Sequence, residues 1–399
     1  MTEVTAKQRL VDALNHREPD RIPLDLGSTG ITGISRHALI RYLEFIGMPH
    51  DGIELYEVTQ QLGVVPEKLM QWLGVDVRGL DPRPGSKYQL DIRRQGDSDV
   101  FYDEWGIGWR KPLDSQLYFD MFYAPLARAE SVADIERHAW PDPDDPARYA
   151  LLERGAALLE VTTGAAIVLG RMAPGTLELS AWTRGMESFY MDLAADPDLA
   201  CSLLDRVTEI KMRYWERAIS EVGDKIVVVT EADDMASQHS LIISPDIYRR
   251  LIKPRHKRLF DHIHKLAPDA FIFFHSCGAI YELIPDLIEV GVDILNPVQV
   301  SAAGMDPRRL KKEFGSELTF WGGGVDTQRI LPHGTPKEVR DEVRRRIDEL
   351  APGGGFVFNT VHNIQCDVPP ENLAAMFDAL REFGVYGKTR DGVVAAQHT

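Results

Sequence analysis

The feature that most constrains this chain is an alternation kept from end to end. Short, β-rich apolar runs are separated by longer stretches with helical periodicity. The candidate strands lie at residues 22–27, 75–80, 167–171, 226–230, 271–275, 293–297, 318–322 and 356–360. Two of them, IVVVT (226–230) and FIFFH (271–275), have the near-continuous apolar character of parallel strands buried on both faces. Helical patterns occupy 180–194, 197–222, 245–266, 279–290, 307–314, 336–350 and 370–383. Three of these open on a proline that follows Ser244, Asp306 or Thr335, a capping residue before a ring that suits the first turn. Strands alternating with helices imply a parallel sheet, and eight strands favour closure. The expected fold is therefore a (β/α)8 TIM barrel, with residues 1–399 forming a single domain. An open doubly wound sheet would need a glycine-rich phosphate turn. The GSTGITG stretch at 27–33 lacks both the G-x-G-x-x-G spacing and a suitably placed acidic residue.

One segment breaks the alternation. Residues 88–111 read as an antiparallel hairpin inserted in a βα loop. Its aromatics Phe101, Tyr102, Trp105 and Trp109 either cap the barrel mouth or pin the insertion to the barrel. The following proline- and acid-rich span, 112–145, reads as irregular.

Composition excludes several function classes. A net charge of −16 with no basic run repels a phosphate backbone, so no nucleic-acid partner is expected. Three cysteines, at 201, 277 and 366, are too few and too scattered for a disulfide framework, which points to a reducing compartment. No apolar stretch is long enough to span a bilayer. The opening residues lack the charged and apolar regions of a secretory signal, so the chain is expected to be cytoplasmic and free of membrane contact.

The strongest chemical signal is Phe274-His275-Ser276-Cys277-Gly278, directly after an apolar strand. Residues i and i+2 of an extended strand point the same way, so His275 and Cys277 would both face the barrel mouth. An imidazole and a thiolate suit zinc, which in catalytic sites takes three protein ligands and keeps one position open. A buried thiol beside a core histidine is the plainer alternative. His362 and Cys366 sit in the final βα loop, at the same end of the barrel. Glu231, Asp233 and Asp234 cluster after IVVVT, where carboxylates that repel one another persist if they bind a cation, hold a positive group or share a proton. Gly322–Gly324, just before Asp326, would let backbone approach a ligand closely, or serve only a tight turn.

Taken together these segments resemble the uroporphyrinogen decarboxylase superfamily, and within it the cobamide-dependent methyltransferase branch. The matching stretches are ALNHREPDRIPLDLG near the start, 232–259 with its Asp-Asp, Ser-Pro and Lys-Pro elements, 274–299, and 354–376. In the decarboxylases an N-terminal loop bearing arginine holds the propionates of a tetrapyrrole. Here residues 22–35 carry none before Arg36, which disfavours that substrate. The methyltransferase resemblance implies a zinc site built from a His-x-Cys pair and a later cysteine. His275 and Cys277 match the pair. The third ligand is His362, Cys366 or a carboxylate of 231–234, and Cys366 is chosen because thiolate is the better zinc ligand.

The expected function is thus zinc-dependent methyl transfer between a corrinoid, carried on a partner protein, and a thiol or other small acceptor. The metal ligands are His275, Cys277 and Cys366. Asp233, Asp234 and His362 are the catalytic candidates, and Glu231, Gln238, Asn296 and Asp326 are assigned to substrate binding. The resemblance also implies a homodimer. Two alternatives stay open: a metal-independent decarboxylase on the same fold, with Asp233 or His362 carrying the proton, and a non-enzymatic barrel that binds a corrinoid or porphyrin-like ring.

Overall fold

In the computed structural model, which describes residues 4–387, seven parallel strands form one sheet in the order they occur along the chain. They are Val77–Leu80, Ala166–Leu169, Ile226–Ala232, Phe271–His275, Ile294–Asn296, Thr319–Trp321 and Phe356–Val357. Parallel neighbours need a crossover connection, and the intervening helices supply it. The sheet curls until residues 22–27 fill the gap between its outer strands. Leu24 bridges Phe358 in parallel, and its carbonyl accepts from the N–H of Asp76, just before the first strand. This segment makes one bridge where the sequence predicts a full strand. Pro23 has no N–H to donate, and the Leu24 N–H is taken by the Asp76 carboxylate at 2.8 Å. The architecture is that of a TIM-like barrel, as the alternation predicts.

The helices Pro197–Val222, Pro307–Phe314, Pro336–Leu350 and Pro370–Phe383 have the predicted bounds. The pattern at 279–290 is α-helical only over Ile284–Val290, after a 3-10 turn at Tyr281–Leu283, and two others differ for identifiable reasons. The pattern at 180–194 resolves into Thr176–Arg184 and Met186–Ala195, broken at Gly185 with φ of 88°. The pattern at 245–266 contains a π turn, Tyr248–Ile252, just ahead of Pro254, whose ring cannot donate to the regular ladder.

The insertion is larger than a hairpin. Four antiparallel strands, Arg93–Gln95, Ser98–Tyr102, Gly108–Pro112 and Asp120–Tyr123, form their own sheet. The last lies in the span read as irregular, because its alternation is short and mostly exposed. The Trp109 ring meets Trp182 edge-on at 5.2 Å between centroids, which fastens the insertion beside the barrel mouth. No helix among the described residues is long and apolar enough to cross a membrane.

Candidate functional site

The strand Ile226–Ala232 is buried at every position, and its side chains divide between two surroundings. Glu231 faces the helix layer. It accepts from Trp215 Nε1 at 2.7 Å and pairs with Lys211 at 2.8 Å, both on the helix Pro197–Val222. A buried pair of this kind holds the helix to the sheet and has no reach to a ligand, so the substrate-binding role expected for Glu231 is not where the structure puts it. Asp233, fully buried, accepts from the N–H groups of Leu177 and Glu178 and lies 2.7 Å from His256 Nε2. It thus caps the helix Thr176–Arg184 from outside. Gly175 makes this approach possible: a Cβ there would lie 1.8 Å from the Ala232 carbonyl oxygen and 2.0 Å from Asp233 Oδ1.

Asp234, the next residue, points into a cavity of about 650 Å³ at the C-terminal mouth of the barrel. One ligand atom each from Asp234, His275 and Cys277 lie within 4.8 Å of one another, the one such group among the described residues. Asp234 Oδ1 accepts the Cys277 N–H at 2.9 Å, Oδ2 accepts the thiol at 3.3 Å, and His275 Nε2 is 3.7 Å from Oδ1. The turn after Cys277 requires Gly278, whose φ is 93° and whose Cβ would strike the Ala236 and Ser237 carbonyls.

Asn296 orients this group through His275. Its Oδ1 lies 2.5 Å from His275 Nδ1, while its amide nitrogen donates to the Trp321 carbonyl, which fixes the amide orientation. Nδ1 therefore carries a proton, and Nε2 is the nitrogen that faces Asp234 and offers a lone pair to a metal once the ring is neutral. Gln238 is a brace. It bonds Ser301 and accepts from Gln299, which in turn accepts the Gly278 N–H. Asp326 closes its own turn by accepting from the N–H groups of Gln328 and Arg329.

His362 lines the cavity and meets the His275 ring edge-on at 5.4 Å. Burial, then the charge of His275, push it down to about 4, so it is a neutral imidazole near pH 7. Cys366 does not join the group. Ile364 pairs with Ile34, and Arg41 donates to the carbonyls of Cys366 and Val368, which ties this stretch to the helix Arg36–Phe45. Asp234 takes the third place assigned to Cys366.

The electrostatics are those of a site short of positive charge. Burial, then Asp234, push the Cys277 thiol up. Burial also works to raise the Asp234 carboxyl, but His275 and the N–H and S–H of Cys277 outweigh it and hold it low. The donors fit zinc: one nitrogen with a free lone pair, one sulfur that a nearby cation would deprotonate, and one carboxylate, all at the end of a cavity.

The sequence analysis passed over Arg171 and Glu178, which line the same cavity. Burial, then Asp234 and Asp233, push the Glu178 carboxyl up to about 8. No described residue accepts a hydrogen bond from the Arg171 guanidinium or lies within ion-pair distance of it. The available signal was position: Arg171 closes a candidate strand at the end where barrel enzymes carry their sites.

A family model described as uroporphyrinogen decarboxylase (URO-D) matches residues 125–383. The uroporphyrinogen decarboxylase of Alkalilimnicola ehrlichii is 24% identical over 259 residues, 63% of this chain and 67% of its own. A methylated-thiol–coenzyme M methyltransferase of Methanosarcina mazei is 25% identical over 225 residues, 56% of this chain and 53% of its own. The solved structure of a methyltransferase from Methanosarcina mazei covers 96% of this chain and 99% of its own, with a TM-score of 0.63 at 19% identity, a likeness of fold.

Proposed function

Because the chain belongs to the uroporphyrinogen decarboxylase family, a family of enzymes with decarboxylases and a methyltransferase among its relatives here, we propose that it is a methyltransferase with a zinc site of Asp234, His275 and Cys277. The observation that carries this is the convergence of those three donors, two of which, Asp234 and His275, line the cavity. When bound there, zinc would lower the pKa of an incoming thiol so that it reacts as the anion near neutral pH. The methyl group's other partner would be a corrinoid carried on a separate, cytoplasmic protein.

The chain's own residues prepare this chemistry. Asn296 keeps the His275 lone pair turned toward Asp234. The Gln238–Gln299 brace holds the Gly278 turn and with it the Cys277 thiol. His362, neutral beside the donors, would offer an incoming thiol a hydrogen-bond acceptor without adding charge to the site. The insertion contributes Asp103, Trp109, Phe119 and Met121 to the cavity wall. A tetrapyrrole acid fits poorly, since five carboxylates besides Asp234 line the cavity against a single arginine.

Elemental analysis and a methyl-transfer assay test this. We expect about one zinc per chain, and loss of both metal and transfer to a thiol in Cys277→Ala. A metal-free protein that releases CO2, with full activity in that variant, would return the chain to the decarboxylase reading.

A further inference from the structure

The cavity sorts its charges in a way that a thiol acceptor alone does not explain. Arg171 is the one cationic Lys or Arg side chain among the lining residues, and its guanidinium makes no bond to any described residue. A guanidinium presents five donors in a planar fork matched to a carboxylate, and one left open at a cavity wall is a receptor for an anion.

The carboxylates nearby are mostly committed. Glu57 accepts from the N–H groups of Thr59 and Gln60. Asp81 accepts from Tyr56 at 2.6 Å, and Asp103 accepts from Trp109 Nε1 at 2.9 Å. With Asp234 among the metal donors, Glu178 and Asp120 are left, and Asp120 is exposed to solvent at the rim whereas Glu178 is not. Among the described residues no side chain donates to the Glu178 carboxylate, which takes the Gly175 N–H.

Arg171 and Glu178 belong to one short stretch, the strand end and the first turn of the helix Thr176–Arg184. They are close enough for each charge to be felt at the other, yet no ion pair joins them within 4 Å. A cationic centre placed beside Glu178 would draw off the proton that burial and the neighbouring aspartates hold there, so a ligand lying between the two residues would meet a guanidinium at one end and a carboxylate at the other. The rings of Trp109 and Trp182 line the same cavity, and the one indole N–H of Trp109 is already used by Asp103. Indole faces attract cations that carry alkyl groups in place of N–H donors.

Building on the methyltransferase reading, we propose that the cavity takes a small zwitterion, its carboxylate on Arg171 and its alkylated cationic centre, a quaternary ammonium or tertiary sulfonium, against Glu178 and the two indoles. One charge of each sign is what these residues can match. A dianion would meet the remaining carboxylates, and a plain cation would leave Arg171 unanswered.

Calorimetric titration of the full chain, with zinc measured in the same samples, tests this. The probes are trimethylglycine, its sulfonium counterpart dimethylsulfonioacetate, tert-butylacetate (the same shape with only the anion) and choline (only the cation). We expect at least one zwitterion to bind about tenfold tighter than either singly charged probe. Arg171→Gln should abolish the advantage over choline, and Glu178→Gln the advantage over tert-butylacetate, with circular dichroism unchanged. If Arg171→Gln does not fold, Arg171→Lys, which keeps the charge and loses the fork, should still weaken the zwitterion several-fold. Failure of both zwitterions to bind, equal affinity for tert-butylacetate, or indifference to these substitutions overturns the proposal. The two readings fail separately. A zinc-free protein with this preference sinks the metal site and supports the charge pairing, whereas a zinc-loaded protein without the preference does the reverse.

Discussion

At the N-terminal end of the barrel strands, the buried Asp76 carboxylate accepts from Arg9, twice from Arg21, and from the N–H of Leu24, and Arg9 also pairs with Asp20. At the C-terminal end, Arg171 bonds to no described residue, while Glu178 sits beside Asp233 and Asp234 without a cation at bonding distance. The residue types are the same and the bookkeeping of charge is opposite. Where the only task is to close the barrel, each donor meets an acceptor inside the protein. At the mouth the partners are missing, and a buried group without its partner costs free energy that a ligand can recover.

This contrast can be broken from either side. The largest effect is expected at the closed end. Asp76→Ala would leave Arg9 short of one partner and Arg21 of its carboxylate, and unfolding in urea should show a loss of about 3–5 kcal/mol. A smaller loss than at a surface pair would mean that the network is not what holds this end.

At the mouth the sign reverses. In metal-free protein the folded state keeps the Glu178 proton up to about pH 8, whereas the unfolded chain releases it near 4.5. The stability this contributes is fully present below the lower value and is lost as pH rises through the upper one. Glu178→Gln should flatten that slope and leave the protein about 2 kcal/mol more stable than the parent at pH 8, read from unfolding curves across this range. A destabilised variant would show that the carboxylate has a partner after all.

The smallest effect belongs between the two. Asp326→Ala removes the acceptor for two turn N–H groups and should cost about 1 kcal/mol with zinc content unchanged. A change in metal or ligand binding would restore Asp326 to the site.

The sequence made the barrel legible because period and alternation are local. It did not show that Pro23 and Asp76 would reduce the first strand to one bridge, since Asp76 lies far along the chain from its partner Leu24. His275 and Cys277 were legible for the same local reason, two residues apart at a strand end. Asp233 and Asp234 could not be told apart. What separates them is the helix start at 177–178 and His256, both remote in sequence. Cys366 was chosen for its chemistry, and the pairing of Ile364 with Ile34 carried it elsewhere. Arg171 and Glu178 escaped notice because the absence of a partner leaves no mark in a sequence.

Gly175 gives the mouth a fixed measure. With no room for even a methyl group against Ala232 and Asp233, the helix that bears Glu178 is seated as deeply on the strand end as atoms allow. The backbone spacing from Arg171 to Glu178 is then set by this contact, and any adjustment of the distance between their charges falls to the two side chains. On the zwitterion proposal, a ligand with a somewhat different charge spacing would be met by the reach of these side chains, and a much longer one only by rebuilding residues 171–178.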